Sequence, residues 1–227
     1  MKRNLCILAA ALLLAGCDKA DAPMEDHPQM EMPEQMGSES SYSEPLTAIV
    51  TVKQDEAGAV YFQLSDEDRL APDNYEEPYI GLRRIICGLQ LLSGMRCHVL
   101  WMEDILEGEV LSQSPDGADD DGLTLLEDWM TSVSDGYLTL HYSTLWGDGS
   151  VPHKLAVYSG YDETDPYQLR LVHSCNGDEA LEEADALICF DINALPSTQG
   201  GYQILTLNWT TREGTAASKT FPFRTRP

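Results

Sequence analysis

Positive charge is scarce in this chain: 14 lysines and arginines stand against 38 aspartates and glutamates, for a formal net charge of −24 at pH 7. Affinity for phosphate backbones and anionic lipid rests on Lys and Arg, so a nucleic acid partner is excluded and a cationic protein or peptide is permitted. Also missing is any apolar run long enough to cross a bilayer as a helix, which needs roughly 20 residues. No CxxC pair occurs, which removes support for redox catalysis and for a thiolate zinc site. GxSxG, P-loop, HExxH and GxGxxG patterns are absent as well, and with them the usual signatures of hydrolases, nucleotide binders and zinc proteases. No enzymatic activity and no cofactor are expected.

What is present begins at the N-terminus. Lys2 and Arg3 precede an apolar run from Leu5 to Ala15, the order of a secretory signal peptide. The run ends at Leu14-Ala15-Gly16-Cys17, small residues before a cysteine, which resembles the lipobox of bacterial lipoproteins. Residues 1–16 then form a lipoprotein signal peptide and Cys17 is the lipidated first residue of the mature chain, held at a membrane by its acyl chains. The alternative is an ordinary secretory signal that happens to contain a cysteine. Residues 17–44 are acidic and proline-bearing, with too little apolar surface to offset ordering, and read as a disordered tether. Met24, Met30, Met32 and Met36 with His27 bring soft copper ligands to that tether, but an unfolded spacer gives them no fixed geometry.

From Leu46 the pattern changes to short β-branched and aromatic runs. "TAIVTVK", "AVYFQL", "RRIICGLQLL" and "RCHVLWM" predict four strands, with a fifth around "GEVLS" at 108–112 and a polar interruption over 65–79. Five short strands suit a small OB-like barrel over residues 45–116. Residues 117–130 read as an interdomain joint. Over 131–227 six further runs separated by Gly, Asp, Asn and Pro predict an antiparallel β-sandwich, giving an all-β chain of two domains. If Asp148-Gly149 closes a two-residue hairpin, Leu140 faces Val157 and Tyr142 faces Leu155. In "KTFPFR", Phe221 and Phe223 point inward while Pro222, lacking an N–H, suits a sheet edge.

Candidate chemistry is thin. On the hairpin register His141 faces Ala156 and His153 lies on the opposite face, so those two cannot share an ion. Asp162, Asp165, Asn176 and Asp178 are hard oxygen donors that would serve calcium if their loops converged, yet the same residues are ordinary turn formers. Once Cys6 is removed and Cys17 lipidated, four cysteines remain; Cys175 and Cys189 close a short loop and are the candidate disulfide, against a reading as two buried thiols. A hydrolase would need two close carboxylates in a pocket.

The motifs "DGYLTLHY", "LRLVHSCNGD", "CFDINAL" and "ILTLNWTT…KTFPF", together with the lipobox and acidic spacer, resemble the NigD-like proteins of Bacteroidota over roughly residues 45–227. The resemblance implies an N-terminal OB-like domain, a C-terminal β-sandwich and a bacteriocin-immunity role assigned to a founding member from its operon. It brings no catalytic residues. The matching positions Asp135, Gly136, His173, Asn176, Gly177, Asp178, Phe190 and Asp191 read as turn and core requirements. "REG" at 212–214 departs from the family's Asp-Gly turn and would alter only that hairpin. Acidic residues near the anchor, as at Asp18, accompany outer-membrane or surface lipoproteins in Bacteroidota. The expected function is therefore non-enzymatic: a lipid-anchored protein of the envelope, in the outer membrane, that binds a macromolecular or peptide partner. The rival is a glycan-binding accessory, for which Trp101, Trp129, Trp146 and Trp209 would have to line a groove.

Overall fold

In the computed structural model, residues 43–113 and 120–226 are described. The signal peptide, Cys17 and the methionines of the tether lie outside them. The described residues are all β, without a helix, and belong to one unit, Ser40–Pro227.

Five strands close a barrel: β1 (Leu46–Gln54), β2 (Val60–Gln63), β3 (Arg69–Pro72), β4 (Arg83–Leu92) and β5 (Arg96–Asp104), in the order β1-β2-β3-β5-β4. β3 runs parallel to β5 and every other neighbour is antiparallel. This is the OB-like barrel that the sequence predicts, with one strand exchanged. The fifth strand is β3, inside the stretch read as a polar interruption, and not "GEVLS". A four-residue strand with one buried side chain, Leu70, shows no alternation long enough to be read. Along β1 the period of two is clear: Ala48, Val50 and Val52 face the barrel interior beside Phe62, Ile85, Cys87 and Leu89. Ile49, Thr51 and Lys53 therefore face out.

The remaining strands form two sheets. One orders β6 (Leu106–Glu107), β13 (Glu182–Asp191), β10 (Tyr137–Trp146) and β8 (Thr124–Leu125), with β9 (Ser132–Ser134) also on β10. The other orders β15 (Ala216–Phe223), β14 (Gln203–Thr210), β12 (Gln168–Ser174), β11 (Lys154–Tyr158) and β7 (Glu109–Leu111). Pairing is antiparallel except at β6/β13, β7/β11 and β12/β14. Their facing sides bury Leu138, Leu140, Tyr142, Val157, Leu169, Leu171, Phe190, Leu205, Leu207 and Phe223. Phe221 and Phe223 point inward from the edge strand β15, with Pro222 exposed, as expected.

Two boundaries move. Strands β6 and β7, expected in the barrel, pair with the sandwich. So does β8, from the expected joint, while Leu123 and Leu125 enter the sandwich core. The hairpin around Asp148-Gly149 does not form: β10 pairs with β13 and β11 with β12. Residues 147–153 instead cross from one sheet to the other. Alternation placed Leu140, Tyr142, Leu155 and Val157 on buried faces correctly, but a buried face is compatible with more than one neighbour.

Candidate functional site

The barrel meets the sandwich along the outward face of β1 and β4. Ile49 and Ile86 pack there against Tyr137, Cys189, Leu187 and Ile105. Around this apolar centre lies a polar seam. Lys53 Nζ stands 2.6 Å from Asp135 Oδ1, and the Asp135 N–H donates to Asp66 Oδ1 at 2.6 Å. Arg84, 2% exposed, donates to Thr51 Oγ1 at 2.9 Å and to Ser134 Oγ at 2.6 Å. Burial lowers the Arg84 guanidinium to about 10, against the opposing pull of Asp135. Asp135 and Gly136 both take positive φ, 50° and 69°, to turn β9 into β10, so Asp135 is a turn residue that also anchors the barrel. Lys53 and Arg84 carry no sequence signal for this role, because nothing local says which outward residues of a strand will be covered.

His141 lies on the outer face of β10. Its Nδ1 is 2.6 Å from Asp128 Oδ2 and its Nε2 2.6 Å from Asp185 Oδ2. Burial works to raise the Asp128 carboxyl, but hydrogen bonds from His141 and the Met130 N–H outweigh it and hold that carboxyl below its ordinary value. A ring clamped at both nitrogens has no free lone pair for a substrate proton.

His153 and His173 do meet. His173 Nδ1 lies 3.0 Å from the Gly122 carbonyl, and its Nε2 lies 3.0 Å from His153 Nδ1. His153 Nε2 lies 3.2 Å from Asp178 Oδ2, which also accepts the Gly147 N–H at 2.7 Å. Trp146 stacks on His153 with ring centroids 4.2 Å apart. The side chains of His153, Asp178 and His173 are essentially buried. Desolvation lowers the His173 imidazole from its ordinary value, with the Gly122 hydrogen bond working the other way. Gly147 leaves the room this carboxylate occupies, since a Cβ would lie 2.1 Å from Asp178 Oδ1 and displace it. All four ring nitrogens are engaged, which leaves none for a metal. Among the described residues no group of three or more His, Cys, Asp or Glu side chains is placed to hold an ion.

The candidate calcium ligands separate into two pairs. Asp162 and Asp165 precede β12, whereas Asn176 and Asp178 follow it, and a strand of seven residues spans about 20 Å. Each serves its own turn. Asp162 accepts from Thr164 N–H at 2.8 Å, Asp165 accepts from Tyr167 N–H at 3.0 Å, and Asn176 Nδ2 donates to the Pro152 carbonyl at 2.6 Å. The calcium expectation is thereby corrected. Cys175 and Cys189 are also apart as free thiols: Cys175 follows β12 in one sheet, and Cys189 is buried in β13 of the other, facing the barrel. Of the tryptophans, Trp209 is buried and Trp146 is committed to His153, while Trp101 and Trp129 are 45% and 54% exposed. Trp101 lies across Gly88, where a Cβ would come within 2.2 Å of its Nε1.

No curated protein matches the chain. Solved structures do. A protein of Parabacteroides distasonis described as toxin-related shares 23% identity, with a TM-score of 0.66 over 80% of this chain and 94% of its own. A NigD-like immunity protein of Bacteroides caccae shares 18% identity, with a TM-score of 0.57 over 79% of this chain and 97% of its own. A Bacteroides fragilis protein described as a lipoprotein shares 11%, with a TM-score of 0.55 over 80% and 99%. At these identities the likeness is one of fold. The family model for the NigD-like C-terminal β-sandwich domain matches residues 109–223, half of the sequence, and the chain belongs to the NigD-like family.

Proposed function

We propose that this is a non-enzymatic, lipid-anchored protein of the bacterial envelope, attached through Cys17 in the outer membrane, whose barrel and sandwich together dock a cationic protein or peptide. Bacteriocin immunity is the setting that fits such docking. The observation that carries the reading is the way charge is used. Lys53, Arg83, Arg96, Lys154, Arg170, Arg212, Arg224 and Arg226 each lie within ion-pair reach of a carboxylate. Among the described residues many further carboxylates, Glu56, Glu76, Glu103 and Glu163 among them, face solvent, where they attract and orient a basic partner more than they add affinity. Fold likeness to the immunity protein and to the lipoprotein is in keeping with this setting.

A glycan remains the second reading, because Trp101 presents an exposed ring laid flat across Gly88, and Trp129 is exposed as well. One experiment separates the two: capture of envelope components by the purified protein at low salt and at about 0.5 M salt, where charge is screened within a few ångströms. A basic protein retained at low salt and released at high salt supports the proposal. Salt-insensitive capture of glycan, abolished by Trp101→Ala, would replace it with the carbohydrate reading. The anchor is tested separately: Cys17→Ala is expected to move the protein from the membrane to the soluble fraction.

A further inference from the structure

Hydrogen-bond parity in the buried histidine pair leads beyond a binding role. The Gly122 carbonyl only accepts, so His173 Nδ1 must carry a hydrogen and donate to it. In a neutral ring His173 Nε2 is then a lone pair, which accepts from His153 Nδ1–H. That leaves His153 Nε2 without a hydrogen, 3.2 Å from Asp178 Oδ2. With both rings neutral and the carboxylate ionised, two lone pairs face each other in a buried site, an arrangement that costs free energy instead of contributing it. The contact closes only if the chain of groups holds one further proton. Moving that proton to His173, or onto the carboxyl, changes its position but not the count.

We propose that Asp178, His153 and His173 form a relay holding one structural proton, and that this proton locks together the two sheet-to-sheet crossovers at one end of the sandwich. Several contacts place the proton at the Asp178 end. Burial disfavours charge on His173. The Gly147 N–H donates to Asp178 Oδ2 and supports the ionised carboxylate, and the Trp146 face stacked on His153 favours a cationic ring. The other charged groups facing the relay are already engaged. Asp121 accepts the Cys175 N–H at 2.7 Å, and Asp120 is paired with Arg170 at 2.6 Å and with Thr210 at 2.7 Å.

The relay sits where the crossover 147–153, from β10 to β11, meets the crossover 175–181, from β12 to β13. Three further hydrogen bonds tie the chain at this point, Gly147 N–H to Asp178 Oδ2, Asn176 Nδ2 to the Pro152 carbonyl and Leu181 N–H to the Trp146 carbonyl. Loss of the proton to solvent sets His153 against Asp178 and weakens the tie between the two crossovers. An unfolded histidine gives up its extra proton above about pH 6.5. The folded relay, which retains it, therefore binds more protons there, and stability falls as pH rises past that point. His173 acts with the opposite sign: kept neutral in the fold, it adds stability that is lost as pH falls below its ordinary value.

The test uses the full chain in detergent, with 15N-labelled histidine. At pH 8 the expected spectrum shows His173 neutral as the Nδ1–H tautomer and His153 protonated at both nitrogens. Two neutral rings beside an Asp178 carboxylate that its 13Cγ shift shows to be ionised, with the crossovers intact, would overturn the proposal. Asp178→Asn supplies the second readout, because an asparagine donates through Nδ2 to His153 Nε2 and accepts the Gly147 N–H through Oδ1, so the relay closes without the extra proton. In the parent chain the unfolding equilibrium constant should rise by up to tenfold per pH unit above pH 6.5, the limit for one proton. In the variant that slope should vanish; an unchanged slope would overturn the relay. Should Asp178→Asn fail to fold, the spectrum of the parent chain decides alone.

Discussion

At the scale of single residues, the four cysteines show how position sets chemistry. Burial pushes the Cys87 and Cys189 thiols up to about 12 and Cys97 up to about 11. Reactivity belongs to the thiolate, so all three are inert core residues. Cys175 lies near the surface, and its thiol is held up chiefly by the Asp121 carboxylate that it hydrogen-bonds. Ellman's reagent at pH 8, with the modified peptides mapped by mass, should label Cys175 first among these four. Asp121→Asn should speed that labelling by removing the acceptor that favours the protonated thiol. Labelling of Cys189 at the same rate as Cys175 in the native protein would contradict the burial seen here. None of this was legible from spacing, which brings Cys175 and Cys189 within reach along the chain but says nothing of the sheets that part them. The same limit applies to the histidines. His153 and His173 are twenty residues apart, and the β11/β12 register, with Leu155 opposite His173, is what brings their rings within 3.0 Å of each other.

Among elements, strands marked by a β-branched or aromatic run were readable, the short β2 and β7 included, whereas β3, β6 and β8 were not. β12 shows strict period-two burial and β1 divides its alternate residues between the barrel core and the seam, whereas β3, β6 and β8 have two to four residues each and derive their order from neighbours. Turn chemistry was legible at Asp135-Gly136 and at Asn176-Gly177, where both residues take the positive φ that a two-residue turn requires. It misled at Asp148-Gly149, where Gly149 alone has positive φ and the chain continues to the other sheet. The β4/β5 pair carries a register shift between Gly88 and Leu89, so that Gly88 lies opposite Trp101 and Leu89 opposite Val99. Gly88 is thus the floor on which the Trp101 ring rests. Gly88→Ala is expected to lift that ring into solvent, red-shift its fluorescence and destabilise the barrel by about 1–3 kcal/mol, the usual cost of overpacking. An unshifted spectrum with unchanged stability would mean that the ring does not lie on Gly88 in solution. If glycan binding rests on Trp101, the same variant should weaken it.

For the whole molecule, the seam decides whether barrel and sandwich behave as one body. Its centre is a small apolar cluster, and around it Lys53–Asp135 and Arg84 are nearly buried charges whose partners come from opposite sides of the junction. A buried pair contributes little compared with an apolar replacement of both partners, but removing one partner strands the other. Asp135 is already exposed to that risk, since its Oδ2 is buried with no hydrogen-bond partner. Lys53→Met should leave the Asp135 carboxylate without its cation and cost about 2–3 kcal/mol, below the range for a fully enclosed pair because Lys53 keeps some contact with water. Lys53→Met combined with Asp135→Asn should recover most of that loss by removing the stranded charge. Calorimetry reads the coupling directly. The parent chain is expected to unfold in one transition with calorimetric and van't Hoff enthalpies equal, because opening either module exposes the seam of the other. Lys53→Met should weaken the junction enough to separate barrel from sandwich melting. Two transitions in the parent chain would show instead that the modules fold independently, and the acidic docking surface would then have to be sought on one of them alone.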